Sequence, residues 1–276
     1  MYAMNKKICT LGLIGKDVSK SLSEDIHTFI LSEWGVDCRY QRFSVSAENF
    51  DNAMRRLLGD FDGFNVTIPY KRDVFAYLDG IEGDAFACGA VNTVLCATRQ
   101  GFNTDGVGFT LMLQAAGIEV EKKRVLVLGA GGSGRSSAVA LKNAGAIVSM
   151  YRRNKAELEE VTMQLGVTAA TDPESGEYDI LVNCTGVGMH DTEGISPVGS
   201  AAFSNAKWAV DLIYTPEKSE FLRLAEETGA KILNGAAMLF YQAYYADCLY
   251  LDRRASVDEA KALYKKYVSK TKGERL

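Results

Sequence analysis

The chain has 276 residues, 47% of them hydrophobic and 24% charged, and its 35 acidic against 31 basic residues leave a net charge of −4. Such a composition is that of an ordinary globular protein and argues against disorder outside the polar end, and the length suits one large domain or two ordinary ones. Neither sign of charge collects into a block, so nothing favours nucleic acid or an anionic membrane surface as a partner.

From the start, Ile8–Ile14 reads as a strand, and Ile26, Phe29, Ile30 and Trp34 recur at helical spacing after a polar start at Ser23. A strand over 39–45 and a helix over 48–58 repeat the unit. Gly63 to Ile68 is a third strand, and Pro69 stands where a following helix begins, since proline suits a first helical turn. Alternation of this kind implies a mostly parallel sheet. A second unit opens near Arg124 with the buried strand Val125–Leu128, a glycine-rich turn from Gly129 to Gly134, a helix over Ser136–Asn143 stopped by Gly145, and a strand over Ala146–Met150. The apolar runs Asp179–Val182 and Ala209–Ile213 fit later strands of that sheet. Gly235 then opens a long apolar segment, Met238 to Leu251, read as a helix, and the polar end, Ser269 to Leu276, reads as a frayed tail. The fold class is α/β in two domains, 1–105 plus 240–276 and 106–239, with the last helices returning to the first.

The six cysteines (Cys9, Cys38, Cys88, Cys96, Cys184, Cys248) lack paired metal spacing and read as reduced, mostly buried thiols. With His27 and His190 the only histidines, no metal site is expected. The first residues lack the apolar core of a signal peptide, and no later run is long enough to span a bilayer, so a cytoplasmic protein is expected.

Two regions carry chemistry. Gly129-Ala130-Gly131-Gly132-Ser133-Gly134 satisfies G-x-G-x-x-G between a strand and a helix, the context in which that pattern binds a dinucleotide. Gly129 permits the tight turn, Gly131 lets backbone approach a pyrophosphate, and Gly134 lets helix press on strand. The helix start offers free N–H groups and partial positive charge to the phosphates. At the end of the next strand, where an acid would bind a ribose hydroxyl, the chain has Arg152, Arg153 and Asn154. Two guanidinium groups suit the extra phosphate of NADP; a solvated basic turn is the plain alternative.

In the first domain, polar residues gather at strand ends: Ser21 and Ser23, Asn65 to Lys71, Gly89 to Thr93, and Asn103 to Gly106. Open α/β sheets bind ligands beyond the carboxyl ends of their strands. Hydroxyl, amide, lysine and aspartate groups together suit a polyhydroxylated carboxylic acid. Each also has a local reading. Ser21 with Glu24 spells an S-x-x-E capping box, Lys71 alone is a surface lysine, and Asp105 before Gly106 is a good turn or helix cap.

Taken jointly, these segments resemble the shikimate dehydrogenase family. Its S-x-S-P-x-I-H pattern stands here as Ser21 to His27, with Glu24 in place of proline, and N-V-T-x-P-x-K is intact from Asn65 to Lys71. The G-A-V-N-T, N-T-D-G and G-A-G-G blocks follow at Gly89, Asn103 and Gly129. Asn183 to Met189, Asp211 to Pro216 and Gly235 to Gln242 match later blocks, while the N-R-T turn keeps only its arginine. The resemblance covers residues 8 to about 250.

It implies an α/β substrate-binding domain with a mostly parallel sheet and a Rossmann-type NADP-binding domain. It also implies that the enzyme reduces 3-dehydroshikimate to shikimate in chorismate biosynthesis. Ser21 and Ser23 would bind the substrate carboxylate, and Asn65, Thr67, Asn92, Tyr214 and Gln242 would surround its ring. Lys71 and Asp105 would form the catalytic pair. Thr185 and Ile213 would join the cofactor loop, with Gly235 and Met238 against the nicotinamide. Glu24 would set a carboxylate near an anionic substrate and weaken its binding. Three other readings stay open: a quinate/shikimate dehydrogenase with broader substrate and NAD use, a glutamyl-tRNA reductase, and a metabolite sensor without turnover. Glutamyl-tRNA reductase needs a nucleophilic cysteine in a polar motif, which is missing here, and a sensor has no need of Lys71 with Asp105. Monomer and homodimer are equally compatible with the sequence.

Overall fold

The structure, a computed structural model, describes residues 9–273. The chain separates into two compact units, the first running to Thr104 and resuming at Phe240, the second spanning Asp105–Leu239. In the first lie β1 (Cys9–Gly15), α1 (Ser23–Glu33), β2 (Cys38–Ser44), α2 (Phe50–Asp60), β3 (Gly63–Val66), β4 (Gly80–Ile81), α3 (Asp84–Cys88), β5 (Thr93–Leu95) and β6 (Gln100–Phe102). The second holds α4 (Asp105–Ala115), β7 (Arg124–Leu128), α5 (Gly132–Asn143), β8 (Ile147–Tyr151), α6 (Lys155–Leu165), β9 (Thr168–Ala169), β10 (Ile180–Asn183), β11 (Trp208–Asp211), α7 (Glu220–Glu227) and β12 (Lys231–Asn234). Helix α8 (Ala236–Tyr250) carries the chain back to the first unit, where α9 (Val257–Gly273) follows.

The first sheet runs β2-β1-β3-β5-β6-β4. β1 is parallel to both neighbours, whereas β5 is antiparallel to β3 and to β6. Every residue of central β3 is buried. Edge strand β2 instead buries only Tyr40 and exposes Arg39, Arg42 and Ser44, as a strand paired on one side alone can. Behind the sheet, Phe29 of α1 meets Phe240 of α8 and Tyr267 of α9 at ring distances of 6.3 and 5.3 Å, and Tyr264 lies 5.4 Å from Phe240. Aromatic rings at these separations bury large areas in favourable edge-on or offset geometry.

That packing corrects one expectation. The polar end does not fray at Ser269. It continues α9 to Gly273, because Tyr264 and Tyr267 anchor the preceding turns and Lys266 pairs with Glu33 of α1. Residues 274–276 and Ile8 lie outside the described residues. Pro69 likewise opens no helix: the Ile68–Pro69 peptide is cis, and the chain turns before a short 3₁₀ segment, Asp73–Tyr77.

The second sheet, ordered β12-β11-β10-β7-β8-β9, is parallel throughout. Its central strands β7 and β10 are buried along nearly their whole length, as strands covered by helices on both faces must be. The order reverses between β7 and β10, which places the ligand-binding crevice of such a sheet beyond their carboxyl ends. Helix α5 begins at Gly132, one turn before the expected Ser136, with Gly131 as its extended N-cap. Glycine is a poor helix former, so the pattern could be read only from Ser136 onward. No helix among the described residues is long and apolar enough to cross a membrane.

Candidate functional site

Within the first unit, the polar residues singled out in the sequence form a hydrogen-bonded cluster. Asn92 is nearly fully buried; its Nδ2 donates to Thr104 Oγ1 at 3.1 Å and lies 3.5 Å from Gln242 Oε1. Its Oδ1 accepts from the Thr104 amide at 2.9 Å and from Thr93 Oγ1 at 2.9 Å. Asn65, also buried, donates through Nδ2 to the Asn92 carbonyl and to Thr93 Oγ1, both at 3.3 Å. Thr67 is half-buried just past β3, its amide bonded to the Ile14 carbonyl at 2.9 Å. Half-buried Lys71 is fixed through its backbone, because its carbonyl accepts from the Val91 amide at 2.8 Å. The turn carrying Lys71 is further pinned by buried Tyr70, which donates to the Val45 carbonyl at 2.6 Å and stacks on Phe50 at 4.2 Å.

The two serines sit together at the start of α1. Ser21 Oγ donates to Ser23 Oγ at 3.0 Å and accepts from the Ser23 amide at 3.2 Å. The expected capping box does not form. Residue 22 is the N-cap and makes no side-chain cap, and the Glu24 carboxylate turns instead to Arg42 Nε at 2.9 Å. A charged partner on the neighbouring strand outcompetes a backbone amide for a carboxylate.

Tyr40 is the residue that sequence reasoning missed. Its hydroxyl donates to Asn65 Oδ1 at 3.0 Å and also engages the Ser23 side chain, so one buried phenol links two of the predicted substrate residues. Burial foremost, with the Asp247 carboxylate next, pushes its ionisation well above the usual tyrosine range, which keeps it a donor. Its ring stacks on His27 at 4.8 Å, and His27 Nδ1 lies 2.6 Å from Asp247 Oδ1 of α8, both side chains fully buried. Burial pushes the Asp247 carboxyl up, while His27 pulls it down. In the sequence Tyr40 reads only as one residue of the strand over 39–45, and its partners lie on other elements. Replacing it in Tyr40→Phe strands the buried Asn65 Oδ1, and a stability loss of about 1–3 kcal/mol is expected from urea unfolding. A midpoint equal to that of the wild type would show that the bond contributes nothing.

In the second unit, the glycine loop follows β7 as its motif requires. Gly129 has φ +98°, a left-handed conformation that side chains resist, and nothing lies within 4 Å of where a Cβ would stand on Gly131. A Cβ on Gly134 would stand 2.2 Å from the Gly129 carbonyl oxygen. A cavity of about 920 Å³ opens here, lined by Gly129, Ala130, Gly131, Arg152, Arg153, Asn154 and Thr185. Its size is that of a cofactor pocket. Gly132, Ser133 and Gly134 form the first turn of α5. Arg152 pairs with Glu157, Asn154 caps α6 through the Glu157 amide, and Arg153 is exposed. Tyr151, Cys184, Val187 and the 195–197 segment also line the cavity and were not singled out from sequence.

A second network shapes this rim. Asn183 Oδ1 accepts from Thr185 Oγ1 at 2.7 Å, and its Nδ2 donates to Asp211 Oδ1 at 3.1 Å. Asp211 is fully buried and accepts from Ser219 Oγ at 2.5 Å and the Ile213 amide at 3.0 Å, although burial still drives its carboxyl upward. The Gly235 amide bonds the Ile213 carbonyl at 3.2 Å, Met238 is buried, and Tyr214 is 36% exposed, so these residues sit off the cavity lining. Asp105 is buried at the first position of α4 and belongs to the second unit, whereas Lys71 belongs to the first. All six cysteines are free thiols, with Cys38 and Cys184 only half-buried.

Residues 13–94 match the family model of the shikimate dehydrogenase substrate binding domain. A protein named shikimate dehydrogenase (NADP(+)) from Caldanaerobacter subterraneus subsp. tengcongensis is 38% identical over 249 residues, 85% of this chain and 89% of that one. The solved structure of shikimate 5-dehydrogenase from Thermus thermophilus in complex with NADP(H) and shikimate superposes with a TM-score of 0.86 at 33% identity, covering 94% of this chain and 99% of that one. Another, from Listeria monocytogenes in complex with shikimate and NAD, has a TM-score of 0.82 at 28% identity over 93% and 96% of the two chains.

Proposed function

The chain belongs to the shikimate dehydrogenase family, and on that premise we propose that it catalyses the reversible, NADPH-dependent reduction of 3-dehydroshikimate to shikimate. The observation that carries the reading is a pairing within one chain. The Asn65–Asn92–Gln242 cluster offers donors and acceptors suited to a ring of hydroxyls, and a glycine loop at a sheet's switch point borders a cavity of cofactor size. The first unit is then the substrate-binding and catalytic domain and the second the NADP-binding domain.

The residues present fit the dinucleotide. A side chain at Gly134 would strike the Gly129 carbonyl, and the clear space at Gly131 lets phosphate oxygens reach backbone amides of α5. Gly129 to Gly134, with Thr185, would hold the pyrophosphate side, and Arg152, Arg153 and Asn154 the ribose phosphate, while Ile213, Gly235 and Met238 would flank the nicotinamide. Bound there, the cofactor supplies a hydride to carbon. The protein must then hold the ketone and deliver a proton to the developing alkoxide. Lys71, with three N–H donors, is assigned that oxygen, and Asp105 the lysine and a neighbouring hydroxyl. Ser21 and Ser23 hold the substrate carboxylate, and Asn65, Thr67, Asn92, Tyr214 and Gln242 orient the ring. The reaction suits a cytoplasmic enzyme, active as a monomer or homodimer.

The test follows nicotinamide absorbance with shikimate or quinate, each with NADP or NAD. Fast turnover confined to shikimate with NADP supports the reading; equal rates with quinate move the chain to the broader dehydrogenase. The shikimate and NAD named for the Listeria structure keep NAD use as the second reading. Arg153 is exposed at the cavity and should discriminate. Arg153→Ala is expected to raise KM for NADP about tenfold to a hundredfold, the worth of one charge-assisted contact, and to leave KM for NAD unchanged. Equal changes for both cofactors would remove the ribose phosphate from this arginine.

A further inference from the structure

Between β1 and α1 the chain makes a short turn that delivers Ser21 and Ser23, and one exposed side chain on the edge strand reaches across to it. Arg42 Nη1 donates to the Ser19 carbonyl at 2.7 Å and lies 3.4 Å from the Ser21 carbonyl, while its Nε meets Glu24 Oε2 at 2.9 Å. The same strand supplies Ser44 Oγ, which accepts from the Val18 amide at 3.1 Å. Arg42 therefore grips the segment that carries the two hydroxyls at three points: the Ser19 carbonyl before them, the Ser21 carbonyl between them and the Glu24 carboxylate after them. The Arg42 and Glu24 side chains are 37% and 40% exposed, and ion pairs so placed add little to stability. Fixing a planar guanidinium on two carbonyls and a carboxylate, by contrast, defines geometry well.

We propose that Arg42 is a positioning residue for the anionic end of the substrate, and that it neutralises Glu24 so that a carboxylate can bind beside it. The inference rests on the reading of Ser21 and Ser23 as carboxylate binders. The physical reasoning has two parts. Without Arg42, the Ser19 and Ser21 carbonyls lose their tether and the turn samples more conformations, so the two hydroxyls are less often placed to bind at once. Without Arg42, Glu24 also stands unpaired one residue from Ser23 and repels an anion. Removing Glu24 alone does the opposite, leaving a cation that attracts one. Neither change touches the cofactor loop or Lys71.

The experiment is a steady-state comparison of the full-length enzyme and four variants. Arg42→Ala is expected to raise KM for shikimate at least tenfold, with KM for NADP and kcat within about threefold of wild type. Glu24→Gln is expected to lower KM for shikimate about twofold at low ionic strength, an advantage that vanishes in about 0.5 M salt as screening shortens the field. The double variant Glu24→Gln, Arg42→Ala should recover part of the loss but not all of it, because the carbonyl tether stays absent. Full recovery would overturn positioning, and an unmoved KM in Glu24→Gln at low salt would overturn neutralisation. Parallel changes in kcat and both KM values with Arg42→Ala would mark a structural role only and sink the proposal. Ser23→Ala separates the underlying reading: if its KM for shikimate is unchanged, the serines do not bind the carboxylate, whatever Arg42 does.

Discussion

Lys71→Ala is expected to lower kcat about a thousandfold while KM for shikimate moves by less than about threefold, within the span that general acid–base groups contribute. A side chain that acts only as charge builds on oxygen stabilises the transition state more than the bound ketone, and its loss therefore falls on kcat. The backbone around Lys71 favours such a role: Tyr70 is locked to Val45 and Phe50, and the Lys71 carbonyl to Val91. These main-chain and neighbouring contacts fix the turn independently of the lysine side chain's own interactions, and an unchanged urea midpoint in Lys71→Ala is the expected check that the turn survives truncation. Lys71→Arg separates two chemistries, because arginine keeps the charge but does not release a proton. If the arginine variant retains a tenth or more of wild-type kcat, electrostatic stabilisation dominates; if it is as slow as the alanine variant, Lys71 transfers the proton. A Lys71→Ala enzyme with near-normal kcat would remove lysine from the mechanism.

The second large effect is expected at Gly134. Its added Cβ in Gly134→Ala would lie 2.2 Å from the Gly129 carbonyl oxygen and 2.9 Å from that carbonyl carbon, both backbone atoms of the tight turn that follows β7. Backbone cannot swing aside as a flexible side chain can, so the first turn of α5 must lift off the strand. On the proposed reading that turn presents amides to the pyrophosphate, and a displacement of about an ångström would break hydrogen bonds that need near-ideal distances. NADP affinity by titration calorimetry should fall at least a hundredfold, with the far-ultraviolet dichroism of the wild type retained. A dissociation constant within threefold of wild type would mean that the loop does not hold the phosphates.

Much of this was legible in the residues. Buried parallel strands contain continuous apolar runs such as Val125–Leu128 and Ile180–Val182, and the glycine spacing between strand and helix has a specific mechanical cause. Local patterns misled where a distant partner won. Ser21 and Glu24 spell a cap, yet Arg42, from the next strand, takes the carboxylate. The charged end looks frayed, yet Tyr264 and Tyr267 hold it helical against Phe240. Strands of two residues, such as β4 and β9, are too short to show any period. Tyr40 was invisible as a site residue because its meaning lies in Asn65, Ser23 and His27, which only the folded sheet assembles.

The first unit is interrupted by the second, and its last two helices are translated after everything else. At roughly 5–20 residues per second, the ribosome needs on the order of ten seconds to make the intervening segment. For that interval Phe29 lacks Phe240 and Tyr267, and the His27 imidazole lacks its carboxylate. The nascent chain thus carries every residue of its second unit before its first unit is complete, and the aromatic face of α1 waits for its partners until α8 and α9 have been made.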